Sequence, residues 1–174
     1  LGVPVGKITL NTQGLEKIDN NECYHIIARA RLNRFLAKLY DIEYTVHTYI
    51  NKDTFFTHRF EKIRRFKDKI HRTVINFDHD KKEAQYNEEG SAPLLEITSM
   101  RGKVADDIPA TLKIINGTQD LFSSFYYLRL LEMKENEPYK INIYYDRRNW
   151  SIEAKMQKPF VKDSFRIYKF RIYY

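Results

Sequence analysis

The stretch Ile42-Glu43-Tyr44-Thr45-Val46-His47-Thr48-Tyr49-Ile50-Asn51 decides how the rest of the chain is read. Ile42, Tyr44, Val46, Thr48 and Ile50 alternate with Glu43, Thr45, His47 and Asn51. A period of two puts successive side chains on opposite sides of an extended backbone, leaving one face buried and one wet. That is the pattern of an antiparallel sheet. It recurs at Ile8, Leu10 and Thr12, at Tyr24, Ile26, Ala28, Ala30 and Leu32, and at Trp150, Ile152, Ala154 and Met156.

Working outward, further strands are expected at 55–65, 70–79, 82–87, 94–99, 102–108, 139–146 and 160–173. Asn20-Asn21, Asn51-Lys52-Asp53 and Asp146-Arg147-Arg148-Asn149 suit tight connections. In the last strand the apolar positions run 165, 167, then 168, 170 and 172, which predicts a bulge or a change of face near Ile167 and Tyr168. Glu88-Glu89-Gly90-Ser91-Ala92-Pro93 is expected to be a loop. The expected fold is mainly β over a single domain, 1–174: a strongly curved antiparallel sheet of about ten strands with one helix packed on it.

Composition agrees. The 174 residues include 13 Tyr and 11 Phe against 6 Gly and 5 Pro, and aromatic residues fit a pleated, half-buried surface. Net charge is +7, which suits a solvated basic surface or an anionic partner such as a lipid head group. No apolar run approaches the roughly 20 residues of a spanning helix. The chain opens on Leu1 rather than Met, as expected of a processed or trimmed product, and no leader is visible in it. Cys23 is the single cysteine and is expected to be a buried thiol in a strand.

One segment breaks the alternation. Gln119-Asp120-Leu121-Phe122-Ser123-Ser124-Phe125-Tyr126-Tyr127-Leu128-Arg129-Leu130-Leu131-Glu132-Met133 predicts a helix of about four turns. Leu121, Phe122, Phe125 and Leu128 share one stripe and are expected to pack on the sheet. Truncating Phe125 would then cost about 3–5 kcal/mol. Thr118 is a plausible N-cap, with Asp120 favourable in the first turn. A shorter helical turn is expected over Arg34–Tyr40, with Phe35, Leu36 and Leu39 as its apolar side.

Chemistry is sparse. There is no phosphate loop, nucleophile elbow, His-Glu-x-x-His or CxxC. The five histidines are dispersed. In Asp78-His79-Asp80 the two carboxylates point away from the imidazole on a strand, so a solvated turn end is expected and no metal or cofactor is implied. The run Arg59–Arg72 predicts a hairpin with apolar residues between its charges. Interleaved cations and aromatics can bind single-stranded nucleic acid, but lysine also protects sheet edges, and the latter is expected here.

The helix segment is the most specific text. Its Asp120, Ser123, Tyr126, Tyr127 and Arg129 match "Asp-x-x-Ser-x-x-Tyr-Tyr-x-Arg", and the chain resembles the bacterial family of unknown function DUF3108 that carries this motif. Leu1-Gly2-Val3-Pro4-Val5-Gly6 is similar to that family's opening Gly-(Ile/Val)-Pro-x-Gly, and Leu39-Tyr40 again leads into a strand. The family's closing turn carries a Gly that Lys158–Phe165 lacks, so the final hairpin is expected to be built differently. The resemblance implies an exported, periplasmic or outer-membrane-associated protein of a Gram-negative bacterium, without assigned activity, and the periplasm is the expected compartment. It also implies a bent sheet broadly similar to the lipoprotein-carrier folds.

Each motif residue has a scaffold role available. Asp120 can cap the helix, Ser123 allows close approach to the sheet, and Tyr126 and Tyr127 suit a half-buried seam. Arg129, if buried, would need a partner such as Glu43, Glu153 or Asp146. The expected function is a non-enzymatic scaffold of an envelope assembly, such as a flagellar-motor or secretion complex. Its partners would be other envelope proteins, joined through an edge carrying Phe165, Arg166, Tyr168, Phe170, Arg171 and Tyr173. The alternative is a carrier of a lipophilic envelope ligand. An apolar cavity above about 300 Å³ under the helix would separate the two.

Overall fold

In the computed structural model, residues 5–90, 110–145, 147–162, 165–167 and 170–173 are described. Seven strands follow one another as β1 (Gly6–Ile18), β2 (Asn21–Leu32), β3 (Ile42–Asn51), β4 (Thr57–Phe66), β5 (Lys69–Asp78), β6 (Glu83–Gly90) and β7 (Thr111–Lys113). They pair in chain order, all antiparallel, into one sheet. Tight turns make this meander possible. Asp19 and Asn20, with φ of 47° and 69°, close the β1–β2 hairpin in the left-handed region these residue types tolerate.

Two irregularities shape the sheet. The β1–β2 register shifts between Thr12 and Gly14, where φ of 117° at Gly14 disfavours other residues. The β3–β4 register shifts between Tyr49 and Ile50, leaving His58 as the extra residue.

A smaller sheet has the order β12 (Phe170–Tyr173), β9 (Arg148–Met156) and β8 (Pro138–Tyr145), and β10 (Phe160–Lys162) pairs with β11 (Phe165–Ile167). The smaller sheet is tied to the large one through the segment before the main helix. Gln119 N–H donates to the Asn142 carbonyl at 2.8 Å, and Tyr144 N–H donates to the Gln119 carbonyl at 2.8 Å. The Asn149 side chain also donates to the Lys113 carbonyl at 2.8 Å.

The core has two parts. Ile75, Phe77, Ala84, Ile114 and Tyr144 pack between the sheets, with the Phe77 and Tyr144 rings edge-on at 5.7 Å. Leu128, Ile141, Ile143 and Ala154 pack the helix onto the smaller sheet.

The mainly β class, the large antiparallel sheet and the helix are as expected, and Arg59–Arg72 forms the β4–β5 hairpin. Cys23 is fully buried, and burial pushes its thiol up to about 11. Other expectations change. A short helix, α1 (Arg34–Leu39), is capped by Asn33, but its Phe35 is exposed. The main helix, α2 (Leu121–Leu130), is shorter than the sequence suggests and its N-cap is Asp120, not Thr118. Its buried residues are Ser123, Ser124 and Leu128, while Leu121 and Phe125 are exposed. Glu88–Gly90 belong to β6 rather than to a loop. The last strand is two strands in different pairs, β11 with β10 and β12 with β9. Tyr168, the strands expected at 94–99 and 102–108, and Asp146 lie outside the described residues.

Candidate functional site

The site begins at Asp120. As N-cap of α2 its carboxylate accepts from Phe122 N–H at 2.7 Å and Ser123 N–H at 3.1 Å, satisfying donors that a helix start leaves free. Ser123 Oγ accepts in return from Asp120 N–H at 2.9 Å, completing a capping box. Two sheet hydroxyls reach the same carboxylate: Thr48 Oγ1 donates at 3.2 Å and Thr57 Oγ1 at 3.0 Å. The group is 2% exposed, and burial pushes its carboxyl above the usual carboxylate range while these donors pull it back. Asp120 thus clamps the start of α2 onto β3 and β4.

Clamped there, α2 covers only part of the sheet face beneath it. Beside its C-terminal half lies a cleft of about 340 Å³ lined by Tyr24, Ile26, Ile50 and Phe55 of the sheet side and Tyr126 and Leu130 of the helix. Its walls are almost wholly apolar. Arg129 stands at the rim, exposed, with its guanidinium over the Tyr126 ring at 5.8 Å. Beside the first turn of α2 lies a second cleft of about 370 Å³, lined by Ile8, Ala28, Val46 and Phe122 and by the cationic Lys62 and Arg64. Along the same face Ile8, Leu10 and Leu15 of β1 are 64%, 46% and 51% exposed. The apolar side chains are therefore not used up by the core.

The opposite face of the sheet is polar and laterally bonded. His25, 6% exposed, has Nδ1 at 2.6 Å from Glu16 Oε1 and Nε2 at 2.9 Å from His47 Nδ1. Its ring stacks on Tyr49 at 4.4 Å. Burial holds His47 below the usual imidazole range. Arg72 donates to Glu61 at 2.7 Å, and Glu43 accepts from Arg31 and Arg65 at 2.7 and 3.0 Å. Two cations of the Arg59–Arg72 run, Arg65 and Arg72, are thus matched with carboxylates across the strands.

The motif residues divide into two groups. Asp120 and Ser123 are buried and hold the helix. Tyr126 and Tyr127 are half-buried beside the cleft, Tyr126 Oη lying 3.4 Å from Thr12 Oγ1. Arg129 needs no buried partner. Glu43 is taken by Arg31 and Arg65, Glu153 pairs with Lys155, and no carboxylate pairs with Arg129 among the described residues. Of the residues expected at an interaction edge, Phe165 and Arg166 are in β11, which pairs with β10, and Phe170, Arg171 and Tyr173 are in β12, which pairs with β9.

Sequence reasoning missed Thr48 and Thr57. Thr48 was visible as a hydroxyl on the apolar side of the β3 alternation. Among the described residues no group of three or more His, Cys, Asp or Glu could hold a metal ion, and no helix is long and apolar enough to cross a membrane.

A family model described as a protein of unknown function, DUF3108, matches residues 1–173. No curated protein and no solved structure matches the chain.

Proposed function

The chain belongs to the DUF3108 family, whose description assigns no activity, and we propose that it is a non-enzymatic binding protein for an amphipathic ligand carried in the cleft beneath α2. The ligand has an apolar chain and an anionic head. One observation carries the proposal: an apolar cleft of about 340 Å³ with the Arg129 guanidinium at its mouth. The size lies within the range of small-molecule pockets, and few convergent polar groups in an apolar cavity fit such a ligand. An apolar chain occupies the trough between Ile26, Ile50 and Leu130, while Arg129 meets the head group in a charge-assisted pair. The exposed Ile8, Leu10 and Leu15 extend the same apolar surface toward β1. We propose the periplasm as its compartment, where a lipophilic molecule needs a carrier to cross water.

Native mass spectrometry of gently purified protein tests this. The expected result is a co-purifying lipid, released by organic solvent and lost from Arg129→Glu. Ligand-free wild-type protein that instead retains envelope proteins would overturn it.

That second outcome is the scaffold reading, and one observation favours it. β1 is a 13-residue strand at the end of the sheet order, paired among the described residues only with β2. Its free edge is where an extended partner segment would add.

A further inference from the structure

We infer that the loop end of the seven-stranded sheet carries a second binding site, for a neutral polyhydroxylated ligand of carbohydrate type. It shares no lining residue with the clefts beneath α2 and does not depend on the lipophilic-ligand reading.

Four connections converge at this end: the β1–β2 turn, the β3–β4 loop, the β5–β6 turn and the segment leading into α2. They are locked together. Lys52 N–H donates to the Glu22 carbonyl at 2.9 Å, and its ammonium meets the Glu22 carboxylate at 2.5 Å. Gln119 Nε2 donates to the Phe55 carbonyl at 3.0 Å. Gly117, with φ of 75°, lies so close to the Phe56 ring that a Cβ there would meet it at 3.2 Å. Loops held by a rigid scaffold are where binding groups concentrate.

Between these loops opens a cleft of about 600 Å³. Among the described residues no Lys or Arg lines it. Of its two carboxylates, Asp78 is already paired with Lys81 at 2.7 Å. Besides the Asp80 carboxylate, what remains is neutral hydrogen-bonding chemistry, and it is biased toward acceptors. His79 Nε2 lies 2.7 Å from the Thr57 carbonyl, so that nitrogen carries the proton. In the neutral ring Nδ1 is then an acceptor, and it is buried with no partner among the described residues. Asn76 Oδ1 is a second buried acceptor without a partner. A buried acceptor left unbonded costs free energy, so both favour an arriving donor. Gln85 and Asn116 at the rim supply amides that donate and accept, and the Phe56 ring gives one apolar wall. Hydroxyl groups, each donating once and accepting twice, match this set. An anion finds no cation, and a hydrocarbon would strand the acceptors.

Saturation-transfer NMR on the full chain with cellobiose, maltose and chitobiose tests the site, with putrescine and inorganic phosphate as charged probes. At least one disaccharide should bind, and Asn76→Leu should weaken it about tenfold, the loss of one buried hydrogen bond. Gln85→Leu, an exposed position, should weaken binding even if Asn76→Leu folds poorly. Arg129→Glu should leave it unchanged. No transfer to any disaccharide, transfer unaffected by both leucine variants, or binding of putrescine in their place would overturn the assignment.

Discussion

Along β2 the side chains of Tyr24, Ile26 and Ala28 face α2, whereas His25 and its neighbours face the other way, and the two faces treat polar groups in opposite ways. On the outer face the central polar groups are satisfied sideways, His25 by Glu16 and His47, and Glu61 by Arg72, while Asn76 Oδ1 near the loop end has no partner among the described residues. Such a face needs no covering layer. On the inner face one buried polar group gathers at Thr48, Thr57, Asp120 and Ser123 and another at Arg64, His71 and Thr73, and the stretch around Ile26 and Ile50 beside the helix is apolar and only partly covered. The centre of one face is bonded within itself, and the other has apolar surface to spare, which is the condition for a ligand site.

The largest expected effect falls on the clamp that separates the faces. Asp120→Ala removes an N-cap and strands the Thr48 hydroxyl, and should cost about 3 kcal/mol in urea unfolding, with Asp120→Asn recovering part. An unchanged midpoint would show that α2 is held by apolar packing alone. Next comes the helix itself. Leu128→Ala should cost about 2–4 kcal/mol as a core truncation, and Phe125→Ala less than about 1 kcal/mol because its ring is exposed. The reverse order would mean that the opposite side of α2 packs on the protein.

Smaller still is the response of the outer face to acid. His47 and His58 are both held below the usual 6.5, chiefly by burial, so the folded state binds fewer protons than the unfolded chain. Their contribution is fully present above 6.5 and is lost as pH falls through that value toward their folded-state titration. The unfolding temperature should therefore fall as pH drops below about 6.5, and His47→Gln should flatten the slope. Equal slopes in the two proteins would remove His47 from the account. Asp120 opposes this trend at lower pH, because its raised carboxyl favours the protonated, acidic side. The smallest effect on stability belongs to Arg129→Glu, within about 0.5 kcal/mol as an exposed position. A large loss there would make Arg129 a structural residue rather than a ligand-facing one.

Much of the fold was legible. Alternation at Ile42–Asn51 and Tyr24–Leu32 reports burial directly, because a strand's two faces are set by its own pleat. The final segment was misread as one strand because alternation cannot say which neighbour a strand pairs with; β11 and β12 belong to different pairs. The motif residues pointed to the right helix, but Asp120 and Arg129 have opposite surroundings, one buried and one at a cleft mouth, which spacing does not reveal.

By itself the sequence determined the antiparallel sheet, its hairpins and the position of α2, because periodicity and turn chemistry are local. Only the tertiary structure decided which side of α2 is buried. The apolar stripe of Leu121 and Phe125 turned outward and the small Ser123 and Ser124 turned in. The reason is the hydroxyls of Thr48 and Thr57, 72 and 63 residues away from Asp120 in the chain. Their hydrogen bonds are satisfied only when the polar start of the helix faces the sheet, and that choice leaves the apolar cleft open beside it.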